Sequence, residues 1–519
     1  MLESVSSQRA LAGPVQWLDD IARRDPQRPL IETPHDRRLT YADMAALSGR
    51  LAAALRARSV ACGDRVVAQV DKSPEAVALY LACLRVGAAF VPLNTAYTLA
   101  ELQYFLTDAA PNLAVVRPGD VAAVQPLAAN AGVRHVETLG AAGDGSLLQF
   151  AAAPSTPTPA EPPADPATLA ALLYTSGTTG RSKGAMLTRA NLASNALALA
   201  SAWRFESRDV LLHALPIFHV HGLFVAINTV LAAGSAMLFL PKFDADEALR
   251  LLPRVTVMMG VPTFYTRLLQ LPGLDREVTR RVRLFVSGSA PLLPETHREF
   301  LARTGQAILE RYGMSETLMN TSNPYDGERV PGSVGPPLPG IEVRITDPDA
   351  GAPLAEGAIG MIEVRGPNVC SGYWRMPEKT ASELRADGWF ITGDLGRIDA
   401  RGYVYIVGRG KDLIISGGYN VYPIEVEAEI DALPGVVESA VIGVPHPDFG
   451  EGVTAVVVVR GVRAPDAGAI RGALEQRLAN YKIPKHVVFV ADLPRNTMGK
   501  VQKSVLRDTY RDLYSESQH

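Results

Sequence analysis

The segment Tyr174–Gly184 reads YTSGTTGRSKG and combines glycines, hydroxyl side chains and two cations. An apolar run at 169–173 precedes it and predicts a buried strand, and a second apolar piece follows it. Small residues let the backbone approach a ligand closely, and their amide groups can converge on an anion. Because the hydroxyls, Arg181 and Lys183 add further donors, the segment predicts a cradle for a polyphosphate.

This phosphate segment differs from a Walker A loop. The Walker A pattern places Ser or Thr directly after its lysine, whereas Gly184 follows Lys183 here. A flexible surface loop of glycine, serine and threonine is the structural alternative. Motifs elsewhere in the chain have to decide between these two interpretations.

Composition indicates a large protein that forms a core. The chain has 519 residues, of which 47% are hydrophobic and 20% are charged, so we expect several globular domains. Its 51 basic and 54 acidic residues nearly cancel, which gives no electrostatic reason to expect a nucleic acid or an anionic membrane as partner. Cys62, Cys83 and Cys370 suggest no disulfide framework, and the N-terminus lacks signal-peptide character, so we expect a cytoplasmic protein.

One charge-free run, Gly222–Leu240, is long enough to span a bilayer. It contains Asn228, Thr229, Gly234 and Ser235, which interrupt the apolar pattern. These residues favour a buried helix, a glycine-containing turn and a strand, so we expect no membrane partner.

Strand and helix patterns alternate along most of the chain, which predicts parallel sheets with crossover helices. A proline-rich connector at 154–166 leads into the phosphate segment. Beyond Arg329, glycine and proline become frequent, and short β-rich pieces predict a small antiparallel or barrel-like subdomain. The segment Gly408–Asp412 then interrupts the pattern with two glycines among charges.

We therefore expect an α/β protein with three parts. These are a large N-terminal body of layered α/β subdomains, a small β-barrel-like subdomain within it, and a small mobile α+β C-terminal cap. The expected boundaries are 1–408 for the body, 409–412 for a hinge and 413–519 for the cap.

Four later motifs carry groups suited to nucleotide chemistry. The small residues of Ser287–Pro291 follow a predicted strand, where open α/β sheets bind planar ligands. Tyr312–Thr317 contains Glu316, and a carboxylate beside a phosphate cradle is a natural Mg²⁺ ligand. Asp394 in TGD could bind ribose hydroxyls, and Lys500 follows a glycine-containing turn. Taken singly, each motif is also explained by a surface loop, a turn or a solvated lysine.

His219 and His221 stand in the apolar segment PIFHVHG, which has no acidic neighbour. The pattern is not HExxH, so a metal site is not expected. Packed or pocket-lining histidines are the default interpretation for this segment.

Together and in this order, the motifs resemble those of the adenylate-forming superfamily of acyl-CoA synthetases, luciferases and peptide-synthetase adenylation domains. The resemblance extends over nearly the whole chain. It implies an ATP-dependent acid–CoA ligase that forms an acyl-adenylate and pyrophosphate, then transfers the acyl group to CoA with release of AMP. The ATP- and AMP-binding residues that it implies are Thr175, Ser176, Gly177, Thr178, Thr179, Gly180, Lys183, Ser289, Ala290, Pro291, Glu310, Arg311, Tyr312, Gly313, Met314, Ser315, Asp394 and Arg409.

The resemblance also implies catalytic and conformational roles. Lys500 would place its ammonium between the acid oxygen and the α-phosphate. The implied catalytic residues are Lys500, Glu316 and His219, and the implied Mg²⁺ ligands are Glu316 and Thr175. The cap would rotate about Lys411 and bring Gly417 and Gly418 to a channel for the pantetheine of CoA.

Three longer segments resemble the malonyl-CoA synthetases: Arg311–Gly332, Ala214–Gly222 and Met259–Tyr265. This closer resemblance implies that the acid is malonate or methylmalonate. A short dicarboxylic acid needs a cation for its second carboxylate, ideally an arginine. Arg298 on a predicted helix is the candidate, with His219 orienting the reacting end, and a solvated surface arginine is the alternative.

Other functions remain open at this point. The alternatives within enzymes are a medium- or long-chain fatty acyl-CoA ligase and a stand-alone adenylation domain that loads a separate carrier protein. Few residues follow Lys500, so we expect no fused carrier. A nucleotide sensor without turnover is disfavoured by Lys500, Glu316 and Asp394, and the sequence does not indicate an oligomeric state.

Overall fold

Four β-sheets carry the architecture of the protein, which we describe from a computed structural model. The structure describes residues 13–34, 37–152, 165–175, 182–461, 464–496 and 499–514. Its strands are β1 Pro29–Glu32, β2 Arg38–Thr40, β3 Arg65–Gln69, β4 Ala89–Pro92, β5 Leu113–Val116, β6 His135–Thr138, β7 Leu169–Thr175, β8 Lys183–Thr188, β9 Val210–His213, β10 Ala236–Phe239, β11 Val257–Gly260, β12 Leu284–Ser287, β13 Ile308–Met314, β14 Leu318–Ser322, β15 Glu342–Thr346, β16 Gly360–Arg365, β17 Phe390–Ile398, β18 Val404–Arg409, β19 Ile414–Ser416, β20 Tyr419–Val421, β21 Val436–His446, β22 Gly450–Val459 and β23 His486–Phe489.

Helices connect and cover these strands. The α-helices are Pro14–Arg24, Tyr41–Ala57, Pro74–Val86, Leu99–Ala109, Val121–Asn130, Ser146–Ala151, Arg189–Ala202, Asn228–Ala233, Ala245–Leu251, Pro262–Leu269, Arg276–Thr279, Pro294–Thr304, Pro377–Glu383, Pro423–Asp431, Ala467–Glu475 and Lys503–Thr509. A π-helix covers His221–Ile227, and short 3-10 helices cover Pro118–Asp120, Leu252–Arg254, Gly410–Asp412 and Asn480–Lys482.

Local signals explain where the first long helices begin. Thr40 precedes Tyr41–Ala57, and its hydroxyl accepts the amide of Asp43 while the Asp43 side chain accepts the amide of Thr40. At the start of Pro74–Val86 the hydroxyl of Ser73 accepts the amide of Ala76 at 3.1 Å. The start of each helix is therefore marked by a cap that lies within a few residues of it.

A six-stranded sheet frames the phosphate segment. Its strand order is β6-β5-β3-β4-β7-β8, and neighbouring strands are parallel apart from the pair β7–β8. β7 and β8 form an antiparallel ladder in which Thr175 is opposite Lys183. The predicted parallel sheet is confirmed, and the β7–β8 hairpin places the two ends of the phosphate segment side by side.

An eight-stranded sheet gathers several strand ends at one edge. Its order is β14-β13-β12-β11-β9-β10-β1-β2, and the strands from β13 to β1 are all parallel. Because parallel strands end at the same edge, the segments that follow His213, Gly260 and Ser287 lie next to one another. This edge is where an open α/β sheet binds a ligand.

The charge-free run at 222–240 lies within this body. It forms most of the π-helix His221–Ile227, continues as helix Asn228–Ala233 and ends in β10. The expected helix, turn and strand are confirmed. Within the described ranges, none of the helices has the length and apolar character that a bilayer crossing requires.

The small subdomain is a four-stranded antiparallel sheet of order β15-β16-β17-β18. It joins the body through Gly335, which bridges to Val404 of β18. The serine that precedes it, Ser333, donates its hydroxyl to the carbonyl of Val404 at 3.0 Å. The expected antiparallel subdomain is therefore found between the body and the cap.

The C-terminal cap has its own sheet and its own apolar clusters. The strand order is β20-β19-β22-β21, with β23 parallel to β22. Ile414 and Val441 belong to one buried cluster of the cap, and Ile442 belongs to another. β18 ends at Arg409, and the 3-10 helix Gly410–Asp412 leads into β19. The position of the hinge stays a prediction, with its first residue at the end of β18.

Gly335 and Gly340 allow a matched test of how closely the small sheet packs on the body. Both have φ of 79°. A Cβ on Gly335 would lie 2.1 Å from backbone atoms of Ser322 and Asn323, whereas no described atom lies within 4 Å of that position at Gly340. We expect Gly335→Ala to cost about 3 kcal/mol or more and Gly340→Ala about 1 kcal/mol, measured by urea unfolding. Equal losses would contradict the close approach.

Candidate active site

Asp394 lies in a buried polar cluster at the edge of the small sheet. It is opposite Arg409 in the β17–β18 ladder, and Arg409 Nε lies 2.7 Å from Asp394 Oδ1. Tyr312 donates its hydroxyl to Oδ2 at 2.5 Å. Burial and, secondly, the charge of Asp394 raise the pKa of Tyr312 far above its usual value, so the hydroxyl keeps its proton. Two predicted nucleotide-binding residues, Tyr312 and Arg409, therefore contact the carboxylate of a third, Asp394.

Glu316 and Thr175 lie together, as expected for the metal site. The Thr175 hydroxyl donates to Glu316 Oε1 at 3.2 Å, and the Tyr373 hydroxyl lies 3.2 Å from the same oxygen. Carboxylate and hydroxyl oxygens are ligands that Mg²⁺ accepts, so this donor set fits the ion. Across the described residues no cluster of three or more His, Cys, Asp or Glu could hold a metal. A magnesium ion would therefore take its remaining ligands from phosphates and water.

Lys183 is paired with a carboxylate that the sequence analysis did not identify. Its Nζ lies 3.2 Å from Glu383 Oε1 and 3.3 Å from the hydroxyl of Tyr373. Burial raises the pKa of Glu383, but hydrogen bonds from Lys379 and Tyr373 and the charge of Lys183 lower it below its usual value. Lys183 is therefore paired with Glu383 close to the Glu316 oxygen that Thr175 and Tyr373 contact, and its role toward phosphate stays a prediction.

The phosphate segment is braced on both sides by tyrosines. Tyr174 donates to Asp108 Oδ2 at 2.6 Å, and Tyr104 donates to the carbonyl of Ser182 at 2.7 Å. These bonds attach both arms of the β7–β8 hairpin to helix Leu99–Ala109. Five predicted ATP-binding residues between these braces lie outside the described residues, so their contacts stay predictions: Ser176, Gly177, Thr178, Thr179 and Gly180.

The SGSAP motif follows β12 and packs directly on Arg311. A Cβ on Gly288 would lie 2.4 Å from Arg311 Cζ, so no larger residue fits here unless the guanidinium moves. Ser289 has φ of 72°, and its hydroxyl lies 3.3 Å from His221 Nδ1. The small residues of the motif thus contact a cation and a histidine.

The remaining predicted nucleotide-binding residues have different surroundings. Five of them are at least partly exposed beside the strand ends: Ala290, Pro291, Gly313, Met314 and Ser315. Glu310 is buried, accepts the amide of Gly332 at 3.3 Å and lies 3.7 Å from His297 Nδ1. Burial raises the pKa of Glu310. Its side chain therefore contacts helix Pro294–Thr304 and a loop of the body, and its role toward ATP stays a prediction.

His219 is a neutral hydrogen-bond donor in this site. Burial lowers its pKa to about 3, and the charges of Lys500 and Arg311 add to the effect. The amide of His221 lies 3.3 Å from His219 Nδ1, which therefore accepts and leaves the proton on Nε2. Burial also lowers the pKa of His221 well below its usual value. A neutral His219 can donate to a carboxylate.

Arg311 is the buried cation of the same pocket. It is 4% exposed, and its Nε and Nη2 have no hydrogen-bond partner in the described part of the chain. Burial lowers its pKa to about 9, with Tyr265 opposing the shift, so it is charged at neutral pH. A buried cation without an anion is costly. The pocket therefore fits an anionic ligand.

The cap brings Lys500 to the cleft. A Cβ on Gly499 would lie 3.5 Å from the Thr263 side chain of the body. Loss of water around the ammonium and the charge of Arg409 lower the pKa of Lys500, while Asp394 raises it. Solvent still reaches the residue. Lys500 therefore lies within electrostatic range of both the nucleotide-side carboxylate and the histidine pocket.

The predicted hinge and channel residues lie outside this cluster. Lys411 is exposed in the 3-10 helix that follows β18. Gly417 and Gly418 are exposed, with φ of 59° and 82°. The nearest atoms to a Cβ on Gly417 belong to Phe449 of the cap. Their roles in rotation and in binding pantetheine stay predictions.

Arg298 is not brought into the pocket. Its Nη1 lies 2.8 Å from Glu295 Oε1, and its side chain is 66% exposed. The physical reason is the helical phase, because Thr296, His297 and Phe300 form the buried face of the helix and Arg298 lies on its other side. The expectation that Arg298 binds the second carboxylate stays a prediction, and the cation that lies with His219 is Arg311.

Comparison with known proteins agrees with this arrangement. The family described as AMP-binding enzyme matches residues 18–374, and its C-terminal domain family matches residues 425–500. The chain belongs to the AMP-binding enzyme family. An indoleacetate–CoA ligase of Aromatoleum aromaticum is 36% identical over 95% of this chain and 97% of its own. The mitochondrial malonate–CoA ligase of Mus musculus is 37% identical over 83% of this chain and 79% of its own.

Two solved structures of another family member show which conformation this one resembles. ATP-bound MatB from Rhodopseudomonas palustris is 59% identical, covers 97% of this chain and 100% of its own, and has a TM-score of 0.93. Apo MatB from the same organism is 60% identical, covers 97% of this chain and 99% of its own, and has a TM-score of 0.83. The TM-score is therefore higher for the ATP-bound form than for the apo form.

The sequence analysis missed Tyr373, Glu383 and Asp108. Tyr373 and Glu383 stand in the segment YWRMPEKTASE, whose pattern indicates a short exposed helix. Nothing local connects Glu383 with Lys183, from which it is separated by 200 positions. A search for a carboxylate to balance a buried lysine would have required the tertiary structure.

The neutral state of His219 should make the folded protein sensitive to acid. Its pKa falls to about 3 in the folded protein, against about 6.5 in an unfolded chain. Between these two pKa values the unfolded chain binds a proton on this histidine and the folded chain does not. The stability that the neutral His219 retains above about pH 6.5 is therefore lost as the pH falls. On going from pH 7 to pH 5, we expect the wild type to lose up to about 2 kcal/mol more free energy of unfolding than His219→Asn loses.

The measurement is the urea midpoint of each protein at both pH values. His486→Asn is the matched control because His486 is exposed on the cap, and it should follow the wild type. If His219→Asn and the wild type lose the same stability between the two pH values, the neutral state of His219 in the folded protein is contradicted.

Tyr373→Phe should weaken the phosphate and metal side of the site. Its hydroxyl contacts Glu316, Glu383 and Lys183. Losing it removes a shared partner worth about 1 kcal/mol or more, so we expect the KM for ATP with Mg²⁺ to rise about fivefold to tenfold. Pyrophosphate release with ATP varied at saturating acid is the measurement.

Tyr403→Phe is the control for that experiment, because the Tyr403 hydroxyl binds the carbonyl of Glu328 at the surface. This variant should leave the KM for ATP and the KM for the acid unchanged. An equal rise in the KM for ATP and for the acid in Tyr373→Phe would argue against a role specific to the phosphate side.

Proposed function

We propose that the protein is an AMP-forming acid–CoA ligase whose acid is malonate or methylmalonate. The observation that carries the choice of acid is Arg311, a buried guanidinium whose Nε and Nη2 lack a described partner. A relative with the printed activity malonate–CoA ligase supports the same substrate class. The motifs around the site add the similarity to malonyl-CoA synthetases.

A short dicarboxylate suits the distribution of charge in the pocket. One carboxylate would bind Arg311, whose planar guanidinium offers paired donors. The other would accept the proton on His219 Nε2 and face Lys500. A monocarboxylic acid would leave the buried guanidinium without an anion, which costs free energy in a pocket of low polarity. The second carboxylate is therefore a recognition element.

In the first step the reacting carboxylate attacks the α-phosphate of ATP. A bond forms between the acid oxygen and the α-phosphorus, and the bond to the pyrophosphate breaks. Lys500 would balance the charge of the two approaching anions. Asp394 and Arg409 would bind the ribose, and Tyr312 would flank the adenine. Stabilisation of the developing charge is thus the main contribution of these side chains.

The phosphates would meet a separate group of residues. Lys183 and Thr175 would bind the β- and γ-phosphates, together with the phosphate segment. Glu316 and Thr175 would hold Mg²⁺, which supplies positive charge to the triphosphate when bound. Since Lys183 is already paired with Glu383, binding of the phosphates would include a rearrangement of that ion pair.

In the second step the thiol of CoA attacks the acyl-adenylate carbonyl. The carbon–sulfur bond forms, the thiol proton is released to solvent, and AMP leaves with the electrons of the carbon–oxygen bond. Rotation of the cap about Lys411 would withdraw Lys500 and bring Gly417 and Gly418 to the cleft. The absence of side chains on these glycines suits a narrow channel. No cysteine nucleophile is needed because CoA supplies the sulfur, and we place the reaction in the cytoplasm.

The competing functions differ in what they consume. A medium- or long-chain acyl-CoA ligase would prefer fatty acids, and a domain that loads a carrier protein would not need CoA. A nucleotide sensor would release no AMP. One panel decides among them: malonate, methylmalonate, butyrate, octanoate and indoleacetate, each scored by AMP formation with and without CoA. AMP formed fastest from the dicarboxylic acids, and dependent on CoA, is the expected result.

Arg311→Gln tests the choice of acid. Loss of two charge-assisted hydrogen bonds should lower kcat/KM for malonate about 100-fold or more, equivalent to about 3 kcal/mol, and lower the value for butyrate much less. Arg298→Ala is the paired variant and should change malonate activity little, because its side chain is turned to solvent. Loss of malonate activity in Arg298→Ala alone would instead support the sequence-based assignment.

A further inference from the structure

A half-buried lysine outside the groups described above connects the two large sheets. Lys72 follows β3 of the six-stranded sheet, and its Nζ lies 2.9 Å from both Nδ1 and the carbonyl oxygen of His213. The ammonium also lies 4.3 Å from the centre of the Phe239 ring. Burial lowers the pKa of Lys72 well below its usual value, and no described carboxylate opposes the shift. Lys72 therefore has His213 as its polar partner.

The contacts of His213 determine its tautomer. Its Nε2 lies 2.8 Å from the carbonyl oxygen of Gly222, which can accept but not donate. The proton must therefore be on Nε2, and Nδ1 must accept from Lys72. Burial, and secondly the charge of Lys72, lower the pKa of His213 well below its usual value, so the ring stays neutral as this pattern requires. Lys72 thus orients the imidazole.

Gly222 is the point at which this chain of hydrogen bonds reaches the acid pocket. It lies in the π-helix His221–Ile227, and such segments are rare and often mark functional sites. A Cβ on Gly222 would lie 2.1 Å from the carbonyl oxygen of Pro216, so the turn is packed tightly. The amide of Leu223 donates to the carbonyl of His219 at 3.0 Å. The position of Gly222 therefore affects that of His219.

We propose that Lys72 is a positioning residue for the acid side of the active site. Through His213 and Gly222 it holds the turn that carries His219, the donor to the reacting carboxylate. This role rests on the proposed function, since it needs an acid in that pocket. Without the amine, Nδ1 of His213 is a buried acceptor with no donor, and the ring is free to adopt the other tautomer and release Gly222. The ATP-binding residues lie on other segments.

Lys72→Met is the principal test, because it keeps the length of the side chain and removes the donor. We expect the KM for malonate to rise about tenfold, the cost of one buried acceptor left without a donor, while the KM for ATP changes less than about twofold. Lys242→Met is the matched control, because Lys242 is exposed just after β10. AMP formation with each substrate varied in turn is the measurement, with the melting temperature recorded for each protein.

His213→Gln and His213→Leu separate positioning from general packing. Glutamine keeps one donor and one acceptor, so it should retain more malonate affinity than leucine does. If Lys72 acts through His213, the double variant Lys72→Met/His213→Leu should be no worse than His213→Leu alone. His213→Gln also keeps the test usable if Lys72→Met does not fold.

Three results would overturn the inference. They are an unchanged KM for malonate in Lys72→Met, an equal rise in the KM for ATP, and losses that multiply in the double variant. If the wild type forms no AMP from malonate, the proposed substrate is wrong. The same variants are then compared with the acid that the wild type does use, so that failure of the substrate assignment and failure of the positioning role give different results.

Discussion

The active site depends on a separation of charge across one cleft. Asp394 and Glu316 are buried carboxylates on the side proposed for the nucleotide. Arg311 is a buried guanidinium on the side proposed for the acid, and its Nε and Nη2 have no hydrogen-bond partner among the described residues. Lys500 approaches from the cap and is within electrostatic range of both sides. A reaction that joins two anions needs such an arrangement, because their mutual repulsion is the main obstacle to contact. The neutral His219 adds a donor without adding charge.

Parallel strands place these groups next to one another. β9, β11, β12 and β13 are neighbours in one sheet, so the segments that follow them share an edge. The antiparallel small sheet supplies Asp394 and Arg409 opposite each other in one ladder. In the proposed mechanism Lys500 comes from the cap, so that it can be withdrawn before CoA reaches the adenylate. Separate apolar clusters in the cap suit that requirement.

Much of the fold and part of the site could be predicted because the signals were local. The strand expected before Ser287–Pro291 and the helix expected around Arg298 are present as β12 and Pro294–Thr304, since apolar periodicity is a property of a few neighbouring residues. Glu316, Asp394 and Lys500 could be proposed as site residues because each stands in a short motif. Arg298 was chosen for its charge and its motif, but neither reports the direction in which a helical side chain points. Its exposure became apparent once the helix was packed.

The sequence by itself determined the family resemblance, the alternation of elements and the chemistry of each motif, because these depend on residue type and short spacing. The tertiary structure alone decided which charges are paired. Lys183 meets Glu383, Lys72 meets His213, and Arg311 meets no described carboxylate. Such pairings join residues that are far apart in the chain, and burial sets their energies. No local pattern contains either the distance between two segments or the loss of water around a charge.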